Sequence, residues 1–128
     1  MHKSRLAGLV IDSQVDEIGP AAEFWGAALG YAPVKSEEEW ASKYVHLQAP
    51  ENQPVVLVQK VEHASRVHLD IETDNIQAEV QRLERLGAKV VQMMVRWTVL
   101  EAPTGHRFCV VNPQRPDFHT AKDVNIWD

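Results

Sequence analysis

The first pronounced apolar run, Leu6-Ala7-Gly8-Leu9-Val10-Ile11, ends at Asp12 and predicts a buried strand. Asp16 to Gly19 is polar and turn-like. Pro20 suits the first turn of a helix, where its missing N–H has no partner to lose. Helix formers continue from Ala21 to Leu29, with Phe24, Trp25, Ala28 and Leu29 on one side. Phe24 and Trp25 are expected in the core, and Gly30 fits the left-handed residue that ends such a helix. Tyr31 to Val34 predicts a short strand limited by Pro33, and Glu37-Glu38-Glu39 a solvated turn. In Lys43 to Gln48, Tyr44, His46 and Gln48 alternate with Val45 and Leu47, the period of a strand. Ala49 to Asn52 reads as a turn and Val55 to Val61 as the next strand.

The second half repeats this order. Val67 to Ile71 predicts a strand, and Asp74 with Gln77 three residues later resembles a capping box. Ile76, Val80 and Leu83 fall at helical spacing, with Glu79, Arg82 and Glu84 turned outward, and Gly87 stops the helix. Val90 to Val95, Trp97 to Leu100 and Arg107 to Val111 predict three strands. The Ala102-Pro103-Thr104-Gly105 turn precedes the last of them. The helix-ending segments Ala28-Leu29-Gly30-Tyr31 and Arg85-Leu86-Gly87-Ala88 echo each other, which suggests a duplicated unit.

Composition narrows the function classes. A chain of 128 residues with 45% apolar and 24% charged residues is sized for one globular domain. A six-residue apolar run cannot span a bilayer, so a cytoplasmic protein is expected. The formal net charge of −5, without a basic stripe, argues against nucleic acid as a partner. Cys109 is the only cysteine, which excludes an internal disulfide and any Cys-rich zinc site. Six glycines form no phosphate loop, and no nucleophile elbow surrounds a serine.

The ordered set Phe24-Trp25…Ala28-Leu29-Gly30, Val67-His68-Leu69-Asp70-Ile71…Leu86-Gly87-Ala88 and Pro103-Thr104-Gly105-His106-Arg107-Phe108-Cys109-Val110 resembles the vicinal oxygen chelate superfamily. That is the glyoxalase, bleomycin-resistance and extradiol-dioxygenase group, and its small glyoxalase-like domain proteins are the nearest look-alikes. The resemblance implies an α+β fold of two βαβββ modules, about 5–61 and about 66–113, forming a U-shaped cleft. Together these make a single domain over 1–113 with a C-terminal tail, 114–128. The tail ends in Ile126-Trp127 and is expected on the surface or against a partner chain. A homodimer is expected, because cleft completion in the superfamily often involves one.

The resemblance also implies four metal-ligand positions, on the first and last strand of each module. They fall near Ala7, near Leu57 (or Gln59 if the register slips by two), on His68 and on Cys109. The usual His, Gln and Glu donors are absent from three of these places, and Ala102 replaces the Asp of the family's turn. The expectation is therefore a small-molecule-binding protein without a metal, in which His68 would be the ligand if any metal bound. The alternative is a lyase, isomerase or dioxygenase with a non-standard divalent site (Zn, Ni, Fe or Mn) around His68, helped by His46, Gln59, Glu72 or Cys109.

The individual residues carry different weights. His68, Asp70 and Glu72 alternate on one strand face, with Val67, Leu69 and Ile71 expected under the helices. An imidazole titrates near neutral pH, so His68 is the best catalytic candidate. Asp70 and Glu72 read as structural, with Glu72 kept as a candidate of the ligand-binding cleft. Cys109 could be a cleft thiol with Arg107 or His68 as positive neighbour, or a small buried residue. Trp97 is a candidate cleft wall, since ligand pockets favour aromatic sides. His46 shares a face with Tyr44 and Gln48 and is a second polar candidate, while His106 reads as a turn residue. His2, His63 and His119 carry no usable signal. A metal site would require His46, His68 and Cys109 to converge within about 5 Å of a common point.

Overall fold

A computed structural model describes residues 1–35 and 42–128. The turn expected at Glu37-Glu38-Glu39 lies outside them. The elements are β1 (His2–Ser13), α1 (Ile18–Leu29), β2 (Tyr44–Leu47), β3 (Val55–Lys60), β4 (Arg66–Thr73), α2 (Ile76–Arg85), β5 (Lys89–Met93), β6 (Trp97–Glu101), β7 (Arg107–Val111) and β8 (Asn125–Trp127). The fold is mixed α+β. The chain divides into one unit of residues 8–67 and another of residues 1–7 with 68–128. β1 runs through both.

In the 8–67 unit the strand order is β2-β3-β1. β2 pairs antiparallel with β3, and β3 returns parallel to β1 with Val10 opposite Leu57. α1 packs on β2 and β3 over Ile18, Leu47, Val56 and Val58. The helix buries the row Ile18, Ala22, Gly26, four residues apart, and leaves Phe24 62% exposed. The core role expected of Phe24 is thus corrected, because the small residues set the helix close to the sheet. A Cβ at Gly26 would stand 2.7 Å from the Tyr31 carbonyl oxygen. Gly30 ends the helix with φ 75°. The strand expected at Tyr31 to Val34 reduces to one bridge, Pro33 to Leu47. Proline has no N–H to extend a ladder.

In the other unit the order is β1-β4-β7-β6-β5, with β8 also pairing antiparallel to β1. β4 and β7 run parallel, with Asp70 opposite Cys109, and β5-β6-β7 form an antiparallel meander. α2 covers one face of this sheet through Ile76, Val80 and Leu83, against Ile71, Leu100, Phe108 and Val110. Leu100 and Val110 are fully buried. Each such side chain contributes about 1.5–3 kcal/mol through removal from water.

Three expectations need correction in this unit. Asn75, not Asp74, caps α2, accepting a hydrogen bond from the Ala78 N–H at 3.0 Å. Asp74 is taken by the Lys3 N–H at 2.8 Å. Glu79 does not face outward: it is fully buried and bonded to His2 at 2.7 Å and to Arg82 at 2.8 Å. Val67 and Leu69 are exposed, so α2 covers β4 only from Ile71 onward.

The segment after 113 is tied to the sheet. Its β8 extends the ladder beside β1, Phe118 is buried, and Trp127 donates its indole N–H to Ser4 Oγ at 2.8 Å. Among the described residues no helix is long and apolar enough to cross a membrane.

Candidate functional site

β-strand alternation decides which side chains share the face turned away from α2. On β7, Phe108 and Val110 go under the helix, so Arg107, Cys109 and Val111 point to the other side. The registers then line up rows on that face: Arg107 with Glu101, Asp70 with Cys109 and Val99, and Glu72 with Val111 and Trp97, with His68 just before the paired stretch of β4.

The middle of this face holds the candidate site. One donor atom each from His68, Asp70 and Cys109 lies within 4.8 Å of the other two, and all three residues are half-buried. This is the one such group of His, Cys, Asp or Glu side chains among the described residues. His68 Nε2 stands 3.3 Å from Asp70 Oδ1, yet that oxygen makes no hydrogen bond and is buried from solvent. A buried carboxylate oxygen without a donor is costly unless a cation or a proton meets it.

The donor set fits a divalent ion. Imidazole nitrogen, carboxylate oxygen and thiolate sulfur suit Zn²⁺ and its borderline neighbours. Donors on one tetrahedral zinc stand about 3.5 Å apart, so side-chain adjustments of about 1 Å would suffice. Three protein donors, rather than four, are the pattern of a centre that keeps a position open for a ligand.

The next row is built differently. Glu72 was expected to line the site, but its side chain is fully buried and committed elsewhere. Oε2 accepts from Arg5 Nε at 2.6 Å, and Oε1 accepts the backbone N–H groups of Gln114 and Arg115 at 2.7 and 2.9 Å. Arg5 also donates to Asp117 and Asp123, each at 2.6 Å. Burial alone would lower the Arg5 pKa, but these three carboxylates raise it well above the ordinary guanidinium range. Asp117, bonded to Arg5, is held below the usual carboxylate range. This network anchors the segment after residue 113 to β4 and to the first half of β1.

The remaining candidates are scattered. Trp97 is 36% exposed at the start of β6, in the Glu72 row of the same face. His46 and Gln59 belong to the 8–67 unit, on the sides of β2 and β3 turned from α1. His46 is exposed, and the desolvation that remains lowers its imidazole pKa. Neither residue belongs to the His68-Asp70-Cys109 group, whose third member is Asp70, a residue read from the sequence as structural. Ala7, at a first expected ligand position, is buried and has no donor. His106 bonds Thr104 Oγ1 at 2.7 Å in its turn, as its position suggested. His2, silent in the sequence, is a buried partner of Glu79.

The order of strands and helices in the two units is that of the glyoxalase, bleomycin-resistance and dioxygenase class. The sequence profile of the glyoxalase-like domain family matches residues 8–111, and the chain belongs to that family. Solved structures share the fold. Methylmalonyl-CoA epimerase from Mycobacterium tuberculosis aligns with TM-score 0.63 at 16% identity, over 91% of each chain. A single-residue variant of Streptomyces coelicolor methylmalonyl-CoA epimerase, in complex with 2-nitronate-propionyl-CoA, aligns with TM-score 0.62 at 14% identity, over 85% of this chain and 94% of that one. A glyoxalase/bleomycin resistance protein/dioxygenase superfamily member from Vibrio splendidus 12B01 gives TM-score 0.50 at 15% identity, over 84% and 98%. No curated protein matches the sequence.

Proposed function

We propose that the protein binds a small oxygen-bearing molecule at a divalent metal held by His68, Asp70 and Cys109, and acts on it as a glyoxalase-type lyase or isomerase. The observation that carries this reading is the convergence of three different donor atoms within 4.8 Å, one of them a buried carboxylate oxygen without a hydrogen bond. When bound, such an ion supplies Lewis-acid stabilisation of negative charge developing on a ligand oxygen. The chain's own residues supply the frame. Adjacent parallel strands hold Asp70 level with Cys109, and α2 locks the opposite face of the same strands. Trp97 offers an aromatic wall one row away.

One observation favours a second reading. Ala7 and Leu57 provide no donors at the other places where the superfamily's ligands stand, as a metal-free binding protein would have it. Both readings place the protein in the cytoplasm with a small-molecule ligand and no nucleic acid. The tail supports a homodimer only through Ile126, 61% exposed, since Trp127 is engaged within its own chain.

Metal content per chain, measured by plasma mass spectrometry on protein purified without a His-tag or chelator, separates the two. The metal reading predicts near-stoichiometric Zn, Ni, Fe or Mn. A content below about a tenth per chain overturns it in favour of the metal-free binder.

A further inference from the structure

We infer that Arg107 is the anion-recognition residue of this site, so that the ligand carries a carboxylate beside the oxygens that reach the metal. The inference rests on the reading of His68, Asp70 and Cys109 given above. Asp70 pairs with Cys109 across β4 and β7, and Arg107 lies two residues before Cys109 on β7 as His68 lies two residues before Asp70 on β4. Adjacent strands lie about 5 Å apart, so the guanidinium and the metal donors can touch one small molecule.

The charges around it are arranged for release. Arg107 Nε stands 3.5 Å from Glu101 Oε1, and both side chains are 39% exposed. That pair is long and solvated, and a pair of this kind holds its partners weakly. Lys89 stands opposite Glu101 on β5, so Glu101 keeps a cation within reach when Arg107 turns to a ligand. The other end of the face is closed to anions. Arg5 is saturated by Glu72, Asp117 and Asp123, and Arg115 is buried against the Leu6 carbonyl. Arg66, two residues before His68 on β4 and 48% exposed, stands 3.9 Å from the buried Asp12 carboxylate, whereas the carboxylate beside Arg107 is itself solvated. Arg107 is therefore the guanidinium more readily released to a ligand, and a guanidinium recognises a planar carboxylate through paired N–H donors.

The test compares oxamate with oxamide, near-isosteric molecules that differ by one negative charge. Their binding is measured by calorimetry on the 128-residue chain, as purified and after zinc loading. Wild-type protein is expected to prefer oxamate. Arg107→Gln is expected to weaken oxamate about tenfold or more and oxamide less than about twofold, with Arg107→Lys recovering part of the loss. Lys89→Gln removes the same charge two strands farther away, on β5, and is expected to cost oxamate less than about threefold. An unchanged oxamate affinity in Arg107→Gln overturns the inference, as does an equal loss in Lys89→Gln, which would mark a general field rather than a contact. A wild-type protein without preference for oxamate also overturns it, whether or not zinc loads. Zinc stoichiometry, measured on the same wild-type and Arg107→Gln samples, reports separately on the metal reading.

Discussion

Two carboxylates stand two residues apart on the same face of β4, and they live in opposite conditions. Glu72 accepts three hydrogen bonds, from Arg5 and from the N–H groups of Gln114 and Arg115, and has no exposed surface. Asp70 has a buried Oδ1 with no donor, beside an imidazole and a thiol. A saturated buried charge fixes structure, whereas an unsaturated one waits for something to complete it. The same strand thus carries an anchor and a candidate site in adjacent rows, and only the anchor is complete within the chain.

The contrast can be broken by substitution. Glu72→Ala leaves the buried Arg5 charge without its one fully buried partner and two backbone N–H groups unmatched. A loss of about 3–5 kcal/mol is expected in urea unfolding. Trp127→Ala removes the bond to Ser4 and the contact in which the Arg82 guanidinium stands 4.0 Å from the indole centroid. It should cost about 2 kcal/mol and loosen the end of the chain, read as faster amide exchange in β8. Asp70→Asn should change the stability of metal-free protein by less than about 1 kcal/mol, because the side chain is partly exposed and its buried Oδ1 accepts no hydrogen bond that the change would break. The same variant should lower zinc affinity by at least about tenfold, measured by chelator competition.

Acid sharpens the comparison in a third place. Burial would raise the Glu79 pKa, but hydrogen bonds from Arg82, His2 and Ser4 hold it below the ordinary value of 4.5. A group whose folded pKa is depressed stabilises the fold above its unfolded pKa and loses that contribution as pH falls through the folded value. Stability should therefore hold down to about pH 4.5 and decline below it, and the decline should be shallower in Glu79→Gln.

Much of this was legible in the order of residues. The repeated strand-helix-strand pattern, Gly30 as a helix end, and the shared parity of His68 with Asp70 and of Arg107 with Cys109 all follow from period and punctuation. What a period cannot convey is the partner. Asp70 and Glu72 are equivalent by alternation, and what separates them is Arg5, 67 residues before Glu72. Glu79 sits at an outward position of its helix, and what buries it is His2, 77 residues away. The tail reads as polar, yet three of its residues continue a sheet ladder, an interaction made by backbone groups that leave little mark on composition. Local pattern assigned faces, and long-range pairing then decided which residues on a face are spent.

The central claim is that His68, Asp70 and Cys109 form one ligand set, and cobalt substitution tests it most directly. Cys109 is the only cysteine, so sulfur-to-cobalt charge-transfer absorption in the near ultraviolet can arise from it alone. Titration of the metal-free 128-residue chain with Co²⁺ should develop that absorption to an end point near one ion per chain. Binding should weaken in Asp70→Asn and His68→Ala. A titration that reaches saturating cobalt without the absorption, or that is indifferent to both substitutions, would contradict the account.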